Sequence, residues 1–256
     1  MRGRRVDLRI QARTCSKTNL DAFSQVFSTI PVLIDEASTT LYFPQVADGG
    51  TYRTNFILLN PGTSPATARL EFYDDDGNPL GLPIGGLVRT SHEVQLSSRG
   101  AARFLTDGTS TSVKVGWVKV TCPTAIGGSS IFQTLNGNVI TSEAGVASSP
   151  YLSRFTVYVE TAGSAWSGLA ICNPGSSAVD VTLKLRDSSG AQRDTFILRL
   201  PARGHVARFF TQWFGDYPNF EGTLEVVSST PVSGVALRYD NPGLTVFATL
   251  PVVAIQ

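Results

Sequence analysis

Histidine, methionine and cysteine are scarce in this chain, with two, one and three among 256 residues. Each shortage removes a class of chemistry. Cys15, Cys122 and Cys172 form no Cys-x-x-Cys pair and stand at no zinc-ligand spacing. Neither a disulfide framework nor a zinc site is encoded, and the thiols read as buried or incidental. His92 and His205 share no motif, and no Gly-x-Ser-x-Gly elbow accompanies them, so nucleophilic catalysis by a Ser-His pair has no local signature. No glycine-rich loop sits between a strand and a helix, and no cofactor is expected. Charged residues make up only 16%, with a net charge of +1, which lacks the concentrated basic surface that nucleic acid demands. No apolar run approaches the ~18 residues of a membrane span.

What the chain has in quantity is glycine (24), proline (14) and a hydrophobic content of 42%. That mixture suits many short strands joined by tight turns around a sizeable core. Charge is unevenly spread. Arg2, Arg4, Arg5, Arg9, Arg13 and Lys17 face a single acid, Asp7, in the first 17 residues, whereas the remainder is mildly acidic. The N-terminus has the basic start of a signal peptide without its apolar core, so no export signal is legible. Further on, "LDAFSQVFSTI" places Ala22, Phe23, Val26, Phe27 and Ile30 on one helical face, while "VFSTIPVLI" reads equally as an extended segment broken at Pro31.

The strongest signal is internal repetition. "LNPGTSPATARLEFYDDDG" from Leu59 matches "CNPGSSAVDVTLKLRDSSG" from Cys172 at seven of nineteen positions without a gap. "SSRGAARF" then answers "PARGHVARFF" with one insertion, which pairs Arg99 with Arg203 and Arg103 with Arg208. "GWVKVTCPTAIGGSSIF" from Gly116 answers "GTLEVVSSTPVSGVALR" from Gly222. Three collinear echoes imply two copies of one unit. In Asn60-Pro61-Gly62 and Asn173-Pro174-Gly175 the proline presets a turn, and the glycine is expected to supply positive φ. The following strands alternate, with Ala66, Ala68, Leu70 and Phe72 inward in one copy and Val179, Val181, Leu183 and Leu185 in the other. A third Asn241-Pro242-Gly243 falls at a different repeat position. The first copy carries extra residues between Gly77 and Leu96, expected to lengthen a hairpin.

About eight strands per copy, spaced by turn signals, predict an all-β chain. The expected layout is two tandem Ig-like antiparallel β-sandwich domains, 41–150 and 151–256, after a non-repeat N-terminal segment, 1–40. That segment contains a candidate assembly strand over Val26, Phe27, Ile30, Val32, Leu33 and Ile34, able to pair with a neighbour's sheet edge.

Few residues suggest chemistry. Asp74-Asp75-Asp76-Gly77-Asn78 begins like a calcium loop but lacks its closing glutamate, so a solvated turn competes with cation binding. The recurring arginines read either as a ligand grip or as cover for a sheet edge. Trp117, Trp166 and Trp213 offer either a sugar-stacking platform or core packing. Glu143 and Glu160 are a carboxylate pair only in the sense that both are acids.

"LYFPQVADGGTYRTNFILLNPGTSPATARLEFYDDDG", "SEAGV" and "GTLEVVSSTPVSGVALR" resemble a tandem sandwich repeat of large predicted secreted and cell-surface proteins of environmental bacteria. The resemblance spans residues 41–256. It implies an extracellular or cell-surface, non-enzymatic module and carries over no binding residues. The expectation is a structural or adhesive building block that self-associates or meets other surface proteins, including a filament joined by N-terminal strand exchange. The rival expectation is a module that binds polysaccharide.

Overall fold

The computed structural model describes residues 37–240, 247–250 and 252–255. The candidate assembly strand and Asn241-Pro242-Gly243 lie outside the described residues. Strand accounts for 67% of what is described and helix for 1%, so the chain is all-β, with antiparallel pairing throughout.

The first half comprises β1 (Ser38–Asp48), β2 (Tyr52–Leu59), β3 (Ala66–Tyr73), β4 (Leu82–Ile84), β5 (Leu87–Arg89), β6 (Ser91–Leu96), β7 (Ala101–Leu105), β8 (Lys114–Asn136) and β9 (Val139–Ala147). The second comprises β10 (Tyr151–Glu160), β11 (Trp166–Cys172), β12 (Val179–Asp187), β13 (Gln192–Leu200), β14 (His205–Phe209), one 3-10 turn (Phe210–Gln212), β15 (Glu221–Tyr239), β16 (Phe247–Leu250) and β17 (Val253–Ala254). β1 begins at Ser38, inside the segment assigned to 1–40 from sequence.

Both halves use the same wiring. One layer of the first half runs β6-β3-β8-β1 and the other β7-β2-β8-β9. Their counterparts are β13-β12-β15-β10-β17 and β14-β11-β15-β16. β8 and β15 are therefore each one long strand serving both layers, where the sequence suggested two strands apiece. The change of layer occurs at Pro123-Thr124-Ala125, exposed in an otherwise largely buried strand, and at Ser229-Thr230-Pro231. Proline cannot donate to a ladder, so each long strand leaves β3 or β12 there and bends into the other layer, while β1 or β10 follows it across the bend. The register records the bend twice. Thr40 pairs with Thr121 and Ser38 with Ile126, while Arg154 pairs with Val227 and Leu152 with Val232.

Each half buries its own apolar cluster. Phe43, Phe56, Phe72, Leu70 and Ile126 anchor the first, and Phe155, Leu183, Ile171, Phe210 and Val226 the second. Alternation on β3 and β12 follows the sequence, with Ala68, Leu70, Phe72 and Val179, Val181, Leu183, Leu185 inside. The extra residues of the first half do not lengthen a ladder. β4 and β5 form a separate small hairpin over Gly85 and Gly86, both at positive φ, whose N–H groups donate to the two oxygens of Asp107. Leu82 and Ile84 turn its other side into the core.

Candidate functional site

The two Asn-Pro-Gly corners share one construction. The Nδ2 of Asn60 donates to the carbonyls of Ser64 and Ser97, and its Oδ1 accepts from the Gly62 N–H. Asn173 repeats this on Ser177, Pro201 and Gly175. Positive φ falls at neither Gly62 nor Gly175 but across the corner, at Arg99 (52°) and Arg203 (57°), which corrects the turn assigned from sequence. An asparagine carbonyl standing in for a backbone acceptor makes the turn, so the glycine needs no left-handed conformation. A Cβ on Gly62 would instead approach Asn60 Oδ1 at 3.0 Å.

These corners matter because one of them receives the other half. The Asp74–Asn78 hairpin is more than a solvated turn. Asp74 Oδ1 accepts from the N–H groups of Asp76 and Asn78, closing the loop on itself. Its tip then lies against the Pro201–Gly204 corner. The Asp75 carbonyl accepts from His205 N at 3.0 Å, and its carboxylate sits 2.8 Å from His205 Nδ1. Gly77, at φ +84°, passes so close to the Ala202 carbonyl that any side chain there would collide with it. Beside it the Trp117 indole N–H donates to the Arg203 carbonyl at 2.6 Å. The Arg203 guanidinium stands 5.8 Å from the ring centre of Tyr73, which itself stacks on Trp117. The Asp75 carboxylate faces Nδ1 of the wholly buried His205 side chain, whose Nε2 is buried with no partner among the described residues. The carboxylates of Asp74 and Asp75 thus serve the hairpin and the seam, and no group of three or more metal-ligating side chains gathers among the described residues.

The other candidates disperse. Trp117 is in the seam, Trp213 in the second core, and Trp166 half-exposed at the start of β11, edge-on to Phe209. They form no shared platform. Glu143 accepts from Gln133, and Glu160 from Tyr158 and Arg238, each within its own half. The ladder also revises the arginine alignment. Ile57 faces Arg103 and Ala170 faces Ala207, so Arg103 corresponds to Ala207, and Arg208 to Phe104, without an insertion. Arg103 bonds Asn55 on the outer face, whereas Arg208 shares the opposite face with Val206, which packs against the core, by strand alternation. Burial pushes the Cys172 thiol well up, and Cys122 is also buried. Cys15 lies outside the described residues.

A second seam feature was not read from the sequence at all. Away from the hairpin the halves meet through Phe132, Ala144 and Phe247, with Thr249 Oγ1 donating to the Gly145 carbonyl. Between this contact and β14 a cleft of about 360 Å³ opens. Tyr52, Phe132, Phe209, Tyr239 and Phe247 wall it, and Gly168, Ala170 and Ala207 floor it. Burial, with a smaller contribution from Tyr52, pushes the Tyr239 phenol up to about 12. The signal that could have found the floor is a contrast between the copies, Asn55, Ile57 and Arg103 against Gly168, Ala170 and Ala207. The misplaced insertion hid its last member.

No family model matches the sequence, and no curated protein matches it. Among solved structures, red sea bream transglutaminase aligns with 88% of this chain and 32% of its own at 10% identity and a TM-score of 0.16. Bacteroides uniformis β-glucuronidase aligns with 79% of this chain and 24% of its own at 11% identity and a TM-score of 0.15. The chain spans a third or less of those proteins, and likeness of that degree carries no argument about fold or activity.

Proposed function

We propose that the chain is a non-enzymatic structural or adhesive module of an extracellular bacterial assembly, built from two Ig-like β-sandwiches held in one orientation. The observation that carries this reading is the seam at the Asp74–Asn78 hairpin. Seam hydrogen bonds, an aromatic stack and a glycine contact join the halves across a linker only three residues long, between Ala147 and Tyr151. A hinge would not need such a contact, whereas a module that transmits position or load does. The outer strand β13 carries Arg193, Asp194 and Arg199 on an exposed edge, a pattern that discourages indiscriminate strand pairing.

The test is calorimetric unfolding together with small-angle scattering of the full chain. One cooperative transition and a scattering curve fitted by a single relative orientation support the reading. Two independent transitions with a broad ensemble of orientations overturn it. The filament form of the proposal, in which residues 1–40 pair with a neighbour's edge, is tested by light scattering of the full chain against a chain starting at Ala37. Assembly by the full chain alone supports strand exchange, and equal monomeric masses overturn it.

A further inference from the structure

We propose that the seam cleft is a binding site for an uncharged saccharide, taking one or two sugar rings between the halves. The inference is independent of the structural reading and rests on how the cleft is made. On the outer face of the second half, Ala207 lies opposite Ala170 and Phe209 opposite Gly168. The corresponding face of the first half is filled by Ile57 and by Arg103 hydrogen-bonded to Asn55. At three adjoining positions, then, one copy has bulky or polar side chains and the other has almost none. The difference is not imposed by crowding. A Cβ on Gly168 would meet its nearest neighbour, the Arg208 carbonyl, at 3.7 Å, an ordinary contact. At Gly168 the floor is bare although the backbone would accept a Cβ.

Around that floor the walls are aromatic and the polar groups neutral. Phe209 meets Tyr239 edge-on at 5.3 Å, and Tyr239 leans on Phe247 at 5.5 Å. A flat floor beside ring faces and edges suits the apolar face of a pyranose, whose C–H groups stack on aromatic carbon. Hydroxyls need partners that neither repel nor demand charge. Tyr52 and Tyr239 supply two phenols, and Gln212, whose Oε1 already accepts from Phe209 N, keeps its amide N–H groups. Gln45 adds the independent observation. The β1–β8 register slips between Phe43 and Val46, a bulge at Pro44-Gln45, and bulges re-aim side chains. Gln45 lines the cleft, and its Oε1 is buried with no hydrogen-bond partner among the described residues, so an amide at the cleft wall has an unmet acceptor. Among the described residues the lining contains no acid and one charged residue, Arg208, which strand alternation puts on the other face of β14 from Ala207 and Phe209. An uncharged ligand matches that electrostatic balance. The volume, about 360 Å³, lies within the roughly 300–1,000 Å³ of small-ligand pockets.

The experiment is isothermal titration calorimetry of the full chain with neutral gluco-, xylo-, manno- and galacto-hexaoses, with decanoate as an apolar control. The expected result is saturable binding of at least one hexaose at one site per chain. Ala170→Ile, which restores the first half's residue to the floor, should weaken it by about tenfold or more. Gly168→Ala and Tyr239→Phe provide second variants should Ala170→Ile disturb folding, which circular dichroism reports. Silence across the four hexaoses overturns the proposal. So does binding that survives every floor and wall variant, and so does binding of decanoate alone, which would make the cleft a site for alkyl chains.

Discussion

At the scale of single residues, two buried asparagines do the work that the Asn-Pro-Gly triplets advertise. Each spends both ends of its amide on backbone groups, and neither is more than 2% exposed. Asn173→Ala leaves the Ser177 carbonyl and the Gly175 N–H without their partner and takes one of two donors from the Pro201 carbonyl, which keeps the Gly204 N–H; a buried unsatisfied group costs about 1–3 kcal/mol. Urea unfolding should therefore register a loss of about 2–3 kcal/mol, and Asn60→Ala a similar one, whereas a type II turn would have tolerated either change. Titration offers a second check. Burial alone would raise Glu225, but hydrogen bonds from Arg154 and Arg186 outweigh it and hold the carboxyl below its ordinary range. The unfolded chain then binds the proton more readily. The clamp's stabilisation is in force above the unfolded pKa and is lost as pH falls through the folded one. Glu225→Gln should lower stability at neutral pH and flatten the acid limb of a stability–pH curve. At the other extreme, the Tyr239 phenol titrates near 12. Phenolate absorbance should show Tyr239→Phe removing a component with that midpoint. Because the folded value lies above the unfolded one, the associated stability persists below about pH 10 and fades on the alkaline side.

At the scale of elements, the long bent strands decide the architecture, and they were half legible. The matching runs from Gly116 and Gly222 located both of them, and the prolines marked the interruption. Periodicity could not tell a break from a change of layer, because a strand buried on both sides gives the same apolar run before and after its bend. The alternating strands β3 and β12 were readable residue by residue for the opposite reason: one face meets the core and the other meets water. The small hairpin over Gly85-Gly86 was missed because its length matches an extended ladder and only Asp107, far along the chain, caps it. The glycines that open the long strands make a further prediction. A Cβ at Gly116 would strike the Tyr73 carbonyl, and at Gly222 the Arg186 carbonyl, each belonging to the neighbouring β3 or β12. Gly116→Ala and Gly222→Ala should each cost about 1–3 kcal/mol through forced backbone displacement, measured by thermal unfolding, with the two effects alike because the sites are equivalent.

At the scale of the whole molecule, what joins the halves was written in residues that sequence reasoning assigned elsewhere. The acidic run suggested a cation, His205 had no partner in sight, and Trp117 was one of three scattered indoles. Contacts spanning 86 to 130 residues leave no spacing rule to recognise. Trp117→Phe keeps the stack on Tyr73 but removes the donor to Arg203, and Gly77→Arg forces a side chain into the Ala202 carbonyl. Both should loosen the seam while leaving each core intact. Calorimetry should then show a single transition broadening or dividing in two, more for Gly77→Arg than for Trp117→Phe.

The seam also joins unlike surfaces, a hairpin from the first half and a corner from the second. The matching pair, the hairpin at Asp187–Gly190 and the corner at Ser97–Gly100, is left at the far ends. Those ends lack the same chemistry: Ser188 stands where Asp75 does, Ala101 where His205 does, and Thr223 where Trp117 does. Among the described residues, the docking that joins the halves is thus spelled once. The unit is a doublet with two chemically different ends, and anything built from it inherits a direction.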